Sequence, residues 1–227
     1  TGDFKFDQTA AKGYQTDLAR LAEIGKEGVL ALLSDSANAE NPKEVVNERV
    51  IYEFINETFE YHKGRIVVAC VASNILRLQQ ILNAAATQGR KVALTGHDAE
   101  KVVRTAMKLK KLHLPTKDLL IRIEDVSKYD DEKVVVLETG RSGEPLKSLQ
   151  KMAQAKHKFI NFHEGDLVFI TTTPSHAMET NVAKTRNMIY RTGADVRAIS
   201  DKFASSGHAS RNDLQLLFNL LKPRYLF

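Results

Sequence analysis

The side chains in this sequence that could do chemistry gather in a few short polar segments. These are Gly2-Asp3, Ser34-Asp35-Ser36, Ser73-Asn74 with Arg77, Thr139 to Pro145, Thr171 to His176, and Ser206-Gly207-His208. Asp3 follows a glycine, a pattern shared by metal-ligand carboxylates and ordinary turns. No HxH or HExxH occurs, and none of the 7 histidines pairs with another at ligand spacing. The chain as it stands therefore does not complete a metal site, which for zinc takes about four convergent ligands. Ser73 and Asn74 supply cap chemistry to a helix start, whose unpaired N–H groups and dipole also make an anion site. Arg77, one turn in, is placed to meet a phosphate oxygen. Ser206-Gly207-His208 precedes a helix and offers a general acid/base, a phosphate contact or a plain cap.

The elements that must position these groups follow from periodicity. Ile66 to Val71 is an apolar, β-branched run that predicts a strand buried on both faces, and a helix with Ile75, Leu78, Ile81, Leu82 and Ala85 on its stripe follows. Before it, a short amphipathic helix is expected from Asp17, ending at Gly25, then a buried strand over Gly28 to Leu33 that runs into the Asp35 segment. That segment is either an Asx turn or a site at a strand's carboxyl end. Asn41-Pro42 breaks the pattern, a helix runs from about Lys43 to Tyr61, and a domain junction is placed near Asn41 to Asn47. After it, strands at Lys91–Thr95, Leu119–Ile123, Val134–Leu137, Leu167–Thr171 and Ala194–Ile199 mostly alternate with helices of 10–15 residues, which predicts an α/β fold with a mostly parallel, doubly wound sheet. The Thr139–Pro145 and Thr171–His176 loops leave strand ends, and two glycines in the first allow close backbone approach to a ligand. Together with Ser73-Asn74 they place hydroxyls, glycine amides, Arg77 and Arg141 on one rim, a phosphate pocket by the economical reading.

Composition bounds the rest. Apolar residues make up 43% and charged residues 27%, ordinary for a water-soluble fold. Lys+Arg 33 against Asp+Glu 28 gives +5, which permits a polyanionic partner without requiring one. Aromatic interleaving of the basic clusters is lacking, so the usual single-strand stacking signature is missing. The single cysteine, Cys70, excludes a disulfide framework and points to a reducing, cytoplasmic compartment. No apolar run approaches the roughly 20 residues of a membrane span, and Thr1 is not an initiator methionine, so a piece of a longer protein is expected. No GxGxxG or Walker loop is present.

These pieces, in this order, resemble the ribonuclease J family of metallo-β-lactamase/β-CASP nucleases. The resemblance rests on Thr1-Gly2-Asp3-Phe4-Lys5-Phe6-Asp7-Gln8-Thr9, Leu32 to Glu40, Ala72-Ser73-Asn74-Ile75 with Arg77 and Gln79, Thr139-Gly140 with Gly143-Glu144-Pro145, and Ser206-Gly207-His208. Residues 30–40 are most similar to the second, less active Firmicutes paralogue. The resemblance implies a β-CASP domain over 46–199 inserted in a metallo-β-lactamase αββα domain, only partly present as 1–45 and a return segment at 200–227. It implies that Asp3 bridges two metal ions, zinc in the complete protein, with Asp35 and His208 as catalytic residues and His208 protonating the leaving oxygen. Ser73, Asn74, Arg77, Ser142, Gly143 and Ser206 would bind RNA at a 5′ monophosphate.

The implied activity is metal-activated hydrolysis of RNA phosphodiesters, 5′-to-3′ exonucleolytic and endonucleolytic, in RNA decay and maturation. Implied partners are RNA and either a further copy of the chain or a ribonuclease J paralogue, with no membrane. The sequence departs from the family pattern at Arg141-Ser142, at Ala204 where a histidine is usual, and at Ser175 to Met178. The family's HxHxDH segment would precede Thr1, so this chain alone is expected to be inactive. An inactive paralogue acting as an RNA-binding or structural subunit is the alternative.

Overall fold

The computed structural model describes residues 1–7, 9, 15–40, 46–141, 143–172, 178–203 and 207–227. In chain order the elements are α1 (Leu18–Glu27), β1 (Ala31–Leu32), α2 (Glu48–Tyr61), β2 (Ile66–Val71), α3 (Ile75–Thr87), β3 (Lys91–Thr95), α4 (Ala99–Lys108), β4 (Leu120–Ile121) and β5 (Val134–Gly140). They continue with α5 (Glu144–Ala153), β6 (Leu167–Ile170), α6 (Glu179–Tyr190), β7 (Asp195–Ala198), α7 (Ile199–Lys202), α8 (Arg211–Leu221) and β8 (Tyr225–Leu226). Two units result: Thr1–Ile51 with Lys202–Phe227, and Tyr52–Asp201. Among the described residues no helix is long and apolar enough to cross a membrane.

The second unit is built on β2. Its Ile66 to Cys70 are essentially inaccessible, as a strand covered on both faces must be. The sheet order is β4-β3-β5-β2-β6-β7, and every pairing is parallel. From β2 the chain crosses through α3 to β3, beyond β5. From β5 it crosses through α5 to β6, on the far side of β2. Opposite directions of travel put the two crossovers on opposite faces and make the β2/β5 border the switch point of the sheet. On one face Leu146, Leu149 and Met152 of α5 and Val182 and Ile189 of α6 pack on Val67, Val136 and Val168. The pleat turns the alternate residues to the other face, where Phe54 of α2 meets Phe169 edge-on at 5.8 Å.

At the amino ends of β2 and β6 a buried ion pair fixes their stagger. Arg65 Nε and Nη2 donate to Asp166 Oδ1 and Oδ2 at 3.0 and 2.6 Å, and Nη2 also donates to the Asn161 carbonyl at 2.8 Å. The Asp166 side chain is 0% exposed and that of Arg65 8%.

The first unit joins two distant chain segments. β1 pairs in parallel with β8, Ala31 opposite Tyr225 and Leu32 opposite Leu226. Leu32, Leu217 and Leu221 form the small core with Phe4, Phe6, Leu21 and Ile24 against it. Two expectations change here. Gly25 does not end α1, which runs on to Glu27 and stops at Gly28, where φ is +99°. Gly25 instead lies where a side chain would collide with the Leu220 carbonyl of α8, so the glycine permits close helix contact. The segment from Gly28 to Leu33 is also not buried throughout. Leu32 is buried, while Leu30 and Leu33 are exposed, as are Tyr225, Leu226 and Phe227.

Removing one partner of the buried pair leaves an uncompensated charge in the interior. Asp166→Ala is expected to lower the unfolding free energy by about 3–5 kcal/mol, read from urea denaturation. A loss below about 1 kcal/mol would show that the clamp contributes little.

Candidate active site and ligand cavity

The loop leaving β1 carries Asp35 and is fixed from several directions. The Ser34 N–H donates to the Phe227 carbonyl at 2.9 Å, and the Thr1 amino nitrogen donates to the Leu33 carbonyl at 2.7 Å. The Asp35 N–H donates to Thr1 Oγ1 at 3.1 Å, while its own Oδ1 accepts the Ala37 N–H at 3.0 Å. The far segment is fixed by a capping box, in which Ser210 Oγ accepts the Asp213 N–H and Asp213 Oδ2 accepts the Ser210 N–H. That box sets the start of α8 and, two residues earlier, His208. The result is a contact of 3.0 Å between His208 Nδ1 and Asp35 Oδ2, with Asp3 Oδ1 at 3.9 Å from the same nitrogen.

Candidate ligand atoms of Asp3, Asp35 and His208 all lie within 4.8 Å of one another. The Asp35 side chain is 7% exposed, His208 38% and Asp3 79%, so the cluster is open on the Asp3 side. Burial pushes the Asp35 carboxyl up, but hydrogen bonds from the Ala37 amide and from His208, with the imidazolium charge, outweigh it and hold the carboxyl below its ordinary range. Two carboxylates and an imidazole are a donor set that fits a divalent cation such as zinc or manganese, and three protein ligands leave a position for water or substrate. The contact with Asp35 is made by Nδ1, the other ring nitrogen being Nε2.

In the second unit the β2–α3 and β5–α5 turns leave the sheet side by side, the Ala72 N–H donating to the Gly140 carbonyl at 2.8 Å. Ser73 is exposed at this rim. Asn74 caps α3, its side chain accepting the Arg77 N–H. Arg77 lies in the first turn of α3. It is 3% exposed and its Nη1 donates to Gln80 Oε1 at 2.7 Å. Gly143 begins α5 with φ +84°, and Glu144 folds back so that its Oε2 accepts the Arg141 N–H at 2.7 Å. Ser142 and Ser206, and the 173–177 stretch, lie outside the described residues. Ser73, Asn74 and Gly143 therefore belong to one rim, while Asp3, Asp35 and His208 belong to the first unit.

Beside Ser73 opens a cavity of about 680 Å³. Val71, Ile75, Val102, Ala106 and Leu109 form an aliphatic floor, and His97, Lys101, Lys111 and Arg141 bring positive charge or potential charge to it. Apart from Arg141, already placed on the rim, the periodicity of α4 marked these residues only as an amphipathic helix and its flanks. Glu138 was also missed. It is 2% exposed on β5, its register partner is Thr95, and Oε2 has no hydrogen-bond partner among the described residues. Burial pushes its carboxyl up to about 7, although hydrogen bonds with Ser148 and Thr95 pull the other way. The signal for it was an acid continuing the apolar run Val134 to Leu137.

Residues 63–189 match the family model described as "Ribonuclease J, beta-CASP domain". This chain belongs to the ribonuclease J family. Over its full 227 residues it is 54% identical to Ribonuclease J 2 of Streptococcus pyogenes serotype M3, covering 41% of that protein. Over 225 residues, 99% of the chain, it is 42% identical to Ribonuclease J 2 of Staphylococcus epidermidis and of Staphylococcus aureus, covering 40% of each. The chain thus spans about two-fifths of the length of these ribonuclease J relatives, and the parallel sheet of the second unit is the β-CASP fold of the family.

Glu138 gives a pH prediction. Its folded pKa lies above the unfolded value of 4.5, so its favourable contribution is complete below about pH 4.5 and is lost as pH rises through about 7. The loss is on the order of 3 kcal/mol. Glu138→Gln is expected to flatten this slope in denaturation curves collected from pH 4.5 to 8, and an unchanged slope would assign it to other groups.

Proposed function

We propose that this chain is the β-CASP-bearing portion of an RNA-degrading and RNA-processing nuclease of the cytoplasm, acting 5′-to-3′ as an exonuclease and also as an endonuclease. The observation that carries the reading is the convergence of Asp3, Asp35 and His208 within 4.8 Å, in a chain of the ribonuclease J family. Asp3, the most exposed of the three, would hold a divalent cation, zinc by the family resemblance. A second cation would need ligands beyond these three. Such a cation supplies Lewis-acid stabilisation of a phosphodiester and activation of water.

The chain's own residues account for proton management. Asp35, kept ionised by the Ala37 amide and His208, orients the imidazole through Nδ1. Nε2 is then the atom that gives a proton to the departing oxygen. Ser73, Asn74 and Gly143, with Ser142 and Ser206, would receive the 5′ monophosphate of the RNA. Arg77 would support that rim from within α3, through Gln80, by fixing the helix start.

A subunit role in a ribonuclease J assembly is the second reading, in which the chain binds RNA or a paralogue and contributes little catalysis. The departures from the family pattern at Arg141-Ser142 and at Ala204 favour it.

The decisive experiment uses the polypeptide extended to the length of its relatives. His208→Ala is expected to lower cleavage of 5′-monophosphorylated RNA by about 10²–10⁴-fold, and Asp35→Asn by a comparable factor. Rates unchanged by both variants would overturn the catalytic reading. Wild-type rates that rise only when a paralogue is added would favour the subunit role. The 227-residue chain by itself is expected to cleave negligibly, and metal-dependent cleavage lost in Asp3→Ala would contradict that.

A further inference from the structure

Asp3 sits in a stretch, residues 1–7, that no helix or strand covers. Its place beside Asp35 and His208 therefore has to come from side-chain and terminal anchors. Before it stand the Thr1 contacts with Leu33 and Asp35. After it, Phe4 and Phe6 pack against the small core of the first unit, their ring centroids 5.3 Å apart. Lys5 and Asp7, alternating with them in sequence, both reach the start of α2. Lys5 Nζ donates to Glu48 Oε1 at 2.7 Å, and Asp7 Oδ2 accepts the Glu48 N–H at 2.7 Å. Glu48 is the first residue of α2 and lies 41 positions from Asp7. The other Asp7 oxygen is used locally, Oδ1 accepting the Thr9 N–H at 2.8 Å and the Thr9 hydroxyl at 2.6 Å.

The helix does not need Asp7 in order to start. Its own Asn47 accepts the Val50 N–H at 3.0 Å, the ordinary capping bond. The Glu48 amide is one of the first-turn donors that a helix leaves to solvent or to a neighbour. Here a carboxylate from the Asp3 segment takes it, and the positive end of the helix strengthens that bond. The adjoining ion pair is largely withdrawn from water, the Lys5 and Glu48 side chains being 21% and 11% exposed, so salt screens it less than a surface pair. Burial pushes the Asp7 carboxyl up, but the hydrogen bonds from Thr9 and Glu48, with the Lys5 charge, outweigh it and hold the carboxyl below its ordinary range. The helix is a firm anchor, with Ile51, Ile55 and Phe59 buried. We propose that Asp7, with Lys5, is a positioning residue for Asp3, hooking the segment onto the first turn of α2 and so fixing where the Asp3 carboxylate stands. The effect on catalysis rests on the reading of Asp3 as a cation ligand; the hook itself does not.

The Phe4 amide, next in sequence to Asp3, donates to the Asp35 carboxylate and reports on the placement of the segment. Hydrogen exchange resolved to single amides, in the polypeptide extended to the length of its relatives, reads it without any turnover. Asp7→Ala is expected to speed exchange at Phe4 and to lower kcat for RNA cleavage by about tenfold, with KM unchanged. Asp7→Asn, whose amide oxygen still accepts the Glu48 N–H, is expected to retain most of the rate. Asn47→Ala removes the local cap of α2 without touching Asp7, and is expected to change neither readout. If Asp7→Ala does not fold, Lys5→Met, which breaks the ion pair to Glu48, is expected to act in the same direction on a smaller scale. Phe4 exchange unchanged in the folded variant would overturn the proposal, as would Asn47→Ala reproducing both effects. So would a cleavage rate that survives Asp7→Ala but is lost in Asp3→Ala. Faster Phe4 exchange with cleavage intact in both Asp7→Ala and Asp3→Ala would uphold the hook and remove Asp3 from the nuclease reading instead.

Discussion

The contact between Asp35 and His208 joins residues 173 positions apart, and the whole first unit is arranged to make it. Closing a flexible loop of that length costs about 4–5 kcal/mol in chain entropy. A single half-exposed hydrogen bond returns roughly 1 kcal/mol, so the contact cannot hold its own ends together. The work falls to the β1–β8 pairing, to the Leu32, Leu217 and Leu221 core, and to the close passage of α1 and α8 at Gly25. The intervening unit, once folded, also replaces a floppy loop by a rigid body with fixed ends. The meeting of these two side chains is therefore a consequence of packing that lies outside them.

Within the second unit the two ends of the sheet have different physical characters. At the amino ends, Arg65 and Asp166 are a paired, dry clamp with every strong acceptor occupied. At the carboxyl ends, Thr95, Glu138, Thr139 and Thr171 are buried polar groups, and the cations lining the cavity come from the turns after β3 and β5 and from α4 and its C-terminal flank. Glu138 lies just inside that rim, opposite Thr95 in register and near the root of the loop that carries Arg141. Burial there pushes its carboxyl up to about 7.

Much of this architecture is written in short-range patterns. The β-branched run Ile66–Val71 and the apolar spacing of α3 announce strand, turn and helix without ambiguity, and the repeated alternation that follows implies the parallel sheet. The glycine-led Asp3 segment, the Asp35 segment and Ser206-Gly207-His208 were each visible as chemistry-bearing, although periodicity could not show that Asp3, Asp35 and His208 meet. What escaped detection depends on neighbours distant in sequence. Gly25 looks like a helix stop until α8 is laid against it. An apolar run such as Val29 to Leu33 shows that a side chain prefers burial, not whether a layer exists to bury it. Nor does the spacing that puts Arg77 one turn into α3 show that it is buried and donates to Gln80, three residues on. Glu138 carries no periodic mark, and its significance comes from its burial.

The split of the first unit across the chain also has a bearing on how the protein is made. Synthesis delivers Asp35 first, and at about 5–20 residues per second His208 follows some 10–35 s later. The whole parallel sheet can assemble in that interval, while the N-terminal segment waits without its β8 and α8 partners. A nascent chain stalled between β7 and β8 would hold every strand of the parallel sheet together with a β1 whose partner strand has not yet been made.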